Sequence, residues 1–340
     1  MNTTGASSNT TELWQQRNAT GANQTCSPMT PADLIATQLP TVIFGTIMTS
    51  TQLFNLFIFA LWHNKEPYIL LHVSLAFASL LAGISVITAV PLRYIPLTAG
   101  NLLLNKLLGV VLISYGNFSS VLANVAISLD RWMSVEFAIK YRTAISSHKT
   151  LFVSVVFVFG GSLVMHGLGI PVFWRFITVD PCTRRKNFEG IGLGYVAWNT
   201  VHELVFLPVL FVSQARILWI ALGFKLQRLR RERNIKVSME RPKPGAEMVL
   251  APILRIAWSS LLASMTIVGV TLISNVPSLS LTYIYTSAGP YLRRIGGYMT
   301  FVQHCTSPLI YLIFWPEYRA VLFRLCRRLQ VLLTPQASLA

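Results

Sequence analysis

Residues 68–92 read YILLHVSLAFASLLAGISVITAVPL, a run without one Asp, Glu, Lys or Arg. A bilayer's hydrocarbon core is crossed by roughly 20 apolar residues in helical form. In that medium each backbone N–H and C=O must find its partner within the segment. The run therefore predicts a transmembrane helix. Six more apolar segments follow the same rule, at about 34–62, 107–131, 151–174, 191–224, 248–276 and 295–315. Some exceed the minimum, so tilt or extension beyond the membrane is expected. The predicted fold class is an all-α membrane protein, a seven-transmembrane helix bundle.

Composition supports that reading. The chain is 53% hydrophobic and only 12% charged, where soluble domains carry about 25% charged residues. Its net charge of +16 does not mark a nucleic-acid protein, because the basic residues cluster between apolar spans and line no soluble domain. Cys26, Cys182, Cys305 and Cys326 are too few and too scattered for a disulfide scaffold. No Cys/His spacing suggests a metal. The first 30 residues are polar, so the first helix is expected to act as the targeting signal.

Two counts give the orientation. With the N-terminus outside, Lys65, Arg131, Lys140, Arg142 and Lys149 lie inside. So do ten Lys/Arg from Arg216 to Arg255, and Arg319, Arg324, Arg327 and Arg328. That places 19 of the 28 basic residues in the cytoplasm, as the positive-inside rule requires. Asn2, Asn9, Asn18 and Asn23 each open an N-x-Ser/Thr sequon in the short polar tail, and such acceptors belong outside. Asn117-Phe118-Ser119 also fits the pattern but lies within the third span. The chain then divides into an outer tail (1–33), the bundle (34–315), and an amphipathic eighth helix with a short inner tail (316–340). Around 225–247 the longest inner connection is strongly basic and is broken by Pro242, Pro244 and Gly245. It suits anionic lipid headgroups and a cytoplasmic protein partner equally.

At the inner end of helix three stands Ser128-Leu129-Asp130-Arg131-Trp132-Met133-Ser134-Val135, then Ala138-Ile139-Lys140-Tyr141. Helix seven ends in Ser307-Pro308-Leu309-Ile310-Tyr311, with Tyr318 seven residues on, inside the amphipathic run. These segments resemble the Asp-Arg-Tyr and Asn-Pro-x-x-Tyr motifs of rhodopsin-like (class A) G-protein-coupled receptors, with Trp132 for Tyr and Ser307 for Asn. Asn55 and Pro208 fill two further family positions. Glu66-Pro67-Tyr68-Ile69-Leu70-Leu71-His72 is similar to strings in fish-type odorant receptors.

The resemblance implies a receptor that takes an extracellular ligand and activates heterotrimeric G proteins at the plasma membrane. It implies neither enzyme activity nor a cofactor. At rest Arg131 is expected to pair with Asp130, and with Glu247 at the inner end of helix six as a further partner, since an unpaired charge at the membrane boundary is costly. Pro308 removes a backbone hydrogen bond, which would let Tyr311 swing inward on activation.

Several departures bear on this. Ser79 stands where the family has Asp, so Asn55, Ser79, Ser120 and Ser307 surround the family's sodium position without a carboxylate, and hard cations want anionic oxygen. Trp258 lies too near the cytoplasmic end to replace the family's helix-six Trp-x-Pro. Asn124 occupies a layer the family fills with an aliphatic side chain. It either admits water and weakens the resting state, or bonds to a neighbouring helix. Ile113 stands in place of the aminergic Asp, which disfavours a biogenic amine. Asn117, Thr200 and Tyr298 are candidate ligand contacts by depth, or ordinary interhelical bonds. His202 and Glu203 are candidates too; Glu203 otherwise pairs with His166 or stays protonated.

The family's outer disulfide joins helix three to the second outer loop. Cys182 supplies the loop partner, but Lys106 stands at the helix-three position, so the resemblance implies a Cys26–Cys182 bond or two free thiols. Cys326, among Arg324, Arg327 and Arg328, is a palmitoylation candidate, or an unmodified thiol. A transporter would show related halves and mid-membrane carboxylates; neither is visible. A receptor-like protein that does not couple, such as a decoy, is the main alternative. Glycosidase treatment of the protein from animal cells should increase its gel mobility. Replacing Asn2, Asn9, Asn18 and Asn23 together should abolish the shift.

Overall fold

The structure is a computed structural model that describes residues 31–62, 66–93, 98–144, 146–174, 178–179, 186–187, 192–238, 258–276 and 290–333. Helix α1 is Pro31–Leu61 and α2 is Ile69–Ala89. Helix α3 runs over 99–136, as Ala99–Lys106, a π-helical stretch Leu107–Leu112, and Ile113–Glu136. Helix α4 runs over 147–173, as Ser147–Phe152, a π-helical stretch Val153–Gly160, and Gly161–Phe173. Helix α5 is Gly192–Ser238, α6 is Trp258–Val276, α7 is Pro290–Phe314 and α8 is Pro316–Leu333. A short helix, Ala138–Ala144, joins α3 to α4. Between α4 and α5, Thr178–Val179 pairs antiparallel with Lys186–Asn187.

Local chemistry sets several of these boundaries. The Thr98 hydroxyl accepts from the Asn101 N–H at the start of α3, and the Ser146 hydroxyl accepts from Lys149 at the start of α4; both are ordinary N-caps. Pro316 opens α8, where its missing N–H costs nothing. Arg319 reaches back to donate to the Leu312 and Ile313 carbonyls, satisfying the end of α7.

Among the described residues, six helices are long and apolar enough to cross a membrane by length and composition. The seventh, α7, has 25 residues. Its polar residues Gln303, His304 and Ser307 are buried, so its low hydropathy reflects an inward face. Helices α2 and α3 form the buried centre, while α4 and α5 leave apolar side chains such as Leu163, Phe211 and Trp219 exposed, as a lipid-facing surface requires. Helix α5 continues to Ser238, through the first part of the basic connection.

Close backbone approach holds the centre together. A Cβ on Gly116 of α3 would lie 2.8 Å from the Ala82 nitrogen and 3.1 Å from the Ala78 oxygen of α2. On Gly83 of α2 it would lie 2.8 Å from the Thr49 hydroxyl of α1. Small residues serve membrane helices in this way because lipid gives helices no hydrophobic reason to associate. Gly116→Ala should therefore destabilise the fold by about 1–3 kcal/mol, the usual cost of overpacking, seen as a lower thermal midpoint in detergent. Gly100→Ala, which meets nothing within 4 Å, should not.

Candidate functional site

Two polar systems occupy the bundle. The first lies at the inner end of α3. Arg131 donates to one Asp130 oxygen from Nη2 at 2.8 Å and from Nε at 3.1 Å. It also donates from Nη1 to the Ser260 hydroxyl of α6 at 3.2 Å. Its guanidinium sits 4.0 Å from the centre of the Tyr68 ring, a cation–π contact. The other Asp130 oxygen accepts from the Tyr141 hydroxyl of the short loop helix. Burial and the adjacent Asp130 charge push the Tyr141 phenol well above its ordinary range, so it remains a donor. The expected Arg131–Asp130 pair is thus present. Glu247 lies outside the described residues, and the tie from Arg131 to α6 that is described runs through Ser260.

Beside this cluster α3 is fastened to α5. Ser128 and Ser213 share a hydrogen bond of 2.6 Å, and Gln214 donates to Ser128. Glu136 accepts from Trp132 and from Arg216. Trp132 therefore turns its indole N–H to the next turn of its own helix.

The second system runs through the middle of the bundle. Pro308 has no N–H, so the His304 carbonyl four residues earlier lacks its helical donor. Gln52 of α1 supplies one, donating from Nε2 to that carbonyl and to the Ser307 hydroxyl, the latter at 3.1 Å. Asn55 donates to Gln52 at 3.1 Å and to Ser307 at 3.0 Å, and accepts from Tyr318 of α8 at 2.9 Å. The His304 ring bonds Ser79 of α2 at 2.8 Å through Nδ1, and faces Asn117 of α3 at 3.0 Å through Nε2. Asn275 of α6 donates to Gln303 at 2.7 Å. Asn124 donates to Thr271 of α6 at 3.0 Å, while its own Oδ1 has no partner among the described residues. Ser120 turns back to the Asn117 carbonyl.

Asn124 makes the interhelical bond that one of its two readings expects. Ser79 also has a partner that the sequence did not announce: the His304 imidazole stands among Ser79, Asn117 and Gln303. Gln52, Gln303 and Asn275 were missed as well. The missing N–H of Pro308 was the available signal for Gln52.

The ligand candidates fall in separate places. Asn117 faces His304 on α7. Tyr298 stacks on Phe44 of α1, with ring centres 5.5 Å apart. His202 bonds the Trp198 carbonyl at 2.7 Å and meets Phe118 edge-on. Phe118, Met165, His166 and His202 line a cleft with no room for a water-sized molecule, against roughly 300–1,000 Å³ for pockets that hold small molecules. Thr200 and Glu203 lie on α5, with their side chains outside the described residues. Pro208 sits within α5. Cys326 is a free, exposed thiol. Cys26, Cys182, Asn2, Asn9, Asn18 and Asn23 lie outside the described residues.

The structure is similar to the crystal structure of squid rhodopsin, with a TM-score of 0.62 and 15% identity over 88% of this chain and 82% of that one. The fold is that of rhodopsin. With its apolar helices, the chain is a multi-pass membrane protein. No family model matches the sequence, and no curated protein matches it either. Identity this low carries the architecture and leaves function to the residues.

His304→Leu should leave Ser79 without its partner and Asn117 and Gln303 each one contact short, where a buried polar group without a partner costs about 1–3 kcal/mol. The thermal midpoint in detergent should fall by several degrees, and His304→Gln should recover part of the loss.

Proposed function

We propose that the protein is a cell-surface receptor of the G-protein-coupled type, with its N-terminus outside. An extracellular ligand, small molecule or peptide, would shift it toward a state that catalyses nucleotide exchange on a heterotrimeric G protein. The carrying observation is the state of Arg131. One cation at the inner end of the central helix is held at once by Asp130, by Ser260 of α6 and by the face of Tyr68. A charge kept so nearly buried needs all of its partners. Movement of α6 removes one of them and leaves the guanidinium to seek another acceptor. In this reading the C-terminal carbonyls of a G-protein α-subunit's last helix offer that acceptor.

Two polar ties join α6 to α3, Arg131–Ser260 near the inner end and Asn124–Thr271 deeper in, within apolar packing such as that of Val125 and Val268; in this reading movement of α6 breaks both ties. The basic extension of α5, with the exposed arginines of α8, would lie against anionic lipid headgroups and the G protein together. Odorant-like ligands remain part of the proposal on the sequence strings around Tyr68 and His72 alone.

The test is nucleotide exchange on a panel of purified heterotrimers, with the full chain reconstituted in bilayers. Exchange above that of the heterotrimers alone is expected, and Arg131→Ala should return it to their background. A panel on which wild type and Arg131→Ala are equally inert would instead favour the receptor-like, non-coupling alternative.

A further inference from the structure

Tyr68, His72 and Ser79 sit at i, i+4 and i+11 of the α2 region, on one helical stripe. Each meets a different element of the polar systems. Tyr68 lies under Arg131, His72 Nδ1 is 2.9 Å from the Tyr311 hydroxyl, and Ser79 bonds His304. The first two are joined by aromatic packing. Trp315 stacks on Tyr311 with ring centres 4.7 Å apart and 16° between planes. It meets His72 edge-on at 4.8 Å and Tyr68 at 6.0 Å. His72 is itself edge-on to both Tyr68 and Tyr311. His72, Tyr311 and Trp315 are each 1% exposed.

We infer that Tyr68 and His72 are positioning residues which hold Arg131 and Tyr311 in their resting places and make the release of each depend on the other. This rests on the reading of Arg131 as the coupling residue. Tyr311 cannot leave without breaking its bond to His72 and unstacking from Trp315. Trp315 and His72 are also the surfaces against which Tyr68 is braced under Arg131. In a close-packed interior such a set moves between discrete arrangements and does not deform gradually.

The resting arrangement is also incompletely satisfied. His72 Nε2 and Trp315 Nε1 are buried and have no hydrogen-bond partner among the described residues. Buried polar atoms left unpaired raise the energy of the state that contains them. The latch is therefore one hydrogen bond deep, opposed by two unsatisfied nitrogens, which suits a contact meant to open. Pro308, one turn before Tyr311, weakens the helix where it must yield.

Two measurements on the full chain in bilayers test this. The first places a fluorotyrosine at position 311 and reads its ¹⁹F resonance without any G protein. His72→Leu should shift the resonance, and so should Arg131→Ala, although Arg131 makes no described contact with Tyr311. Adding Tyr68→Leu should abolish the effect of Arg131→Ala. The second is ligand-free nucleotide exchange. His72→Leu should raise it by about two- to tenfold, the range expected from losing one buried hydrogen bond. His72→Gln, which keeps a polar partner for Tyr311, should stay near wild type.

A resonance at 311 that ignores both His72→Leu and Arg131→Ala overturns the inference. So does unchanged exchange in a folded His72→Leu protein whose wild type couples. If no heterotrimer responds to any variant, the coupling reading fails, and the ¹⁹F experiment alone decides whether the two sites are linked.

Discussion

One backbone carbonyl organises the middle of this molecule. Residue 308 is a proline, so the oxygen of His304 has no donor within its own helix, and lipid offers none. The Gln52 side chain takes that role from a neighbouring helix. Once Gln52 is fixed, its remaining polar atoms require Ser307 and Asn55, and Asn55 in turn receives Tyr318 from α8. The same turn carries the His304 ring, which faces α2 and α3. A single missing N–H thus explains why α1, α7 and α8 assemble around amides and hydroxyls, where an apolar seam would otherwise serve.

The inner end obeys a different constraint. There the difficulty is a charge, and the answer is a carboxylate on the adjacent residue, a hydroxyl from α6 and an aromatic face from α2. Asp130 is itself fixed by Tyr141 from the loop helix. The two systems are stitched to one another along α2, whose inward stripe touches Arg131, Tyr311 and His304 in turn. Helix α2 contributes nothing charged to either system, yet its side chains meet both.

What was legible in the sequence follows from the range of the interactions. The spans could be read because lipid imposes a composition over about 20 consecutive residues. Asp130-Arg131 and Ser307-Pro308-x-x-Tyr311 could be read because each is a local string. Helix α8 announced itself through amphipathic spacing. The partners that complete the site were not legible, because Gln52 and His304, or His72 and Tyr311, lie more than 200 positions apart. Nothing near His304 distinguishes it from a histidine with an ordinary role. The absence of a carboxylate among Asn55, Ser79, Ser120 and Ser307 was visible; that an imidazole from α7 bonds Ser79 was not. The partners of the ligand candidates were not legible either: Asn117 faces His304, Tyr298 stacks on Phe44, and His202 bonds the Trp198 carbonyl.

The glycine contacts give the bundle unequal stiffness. Where Gly116 and Gly83 bring the chains of α1, α2 and α3 almost main chain to main chain, there are no side-chain rotamers to absorb a displacement, so these three helices act as a slab. Helix α6 has no such anchor at its own glycine: Gly269 meets nothing within 4 Å, and α6 touches its neighbours through side chains that can rotate. Gly167 of α4, Gly223 of α5 and Gly297 of α7 are equally open, so stiffness is concentrated in the slab and the helices around it keep side-chain freedom to adjust.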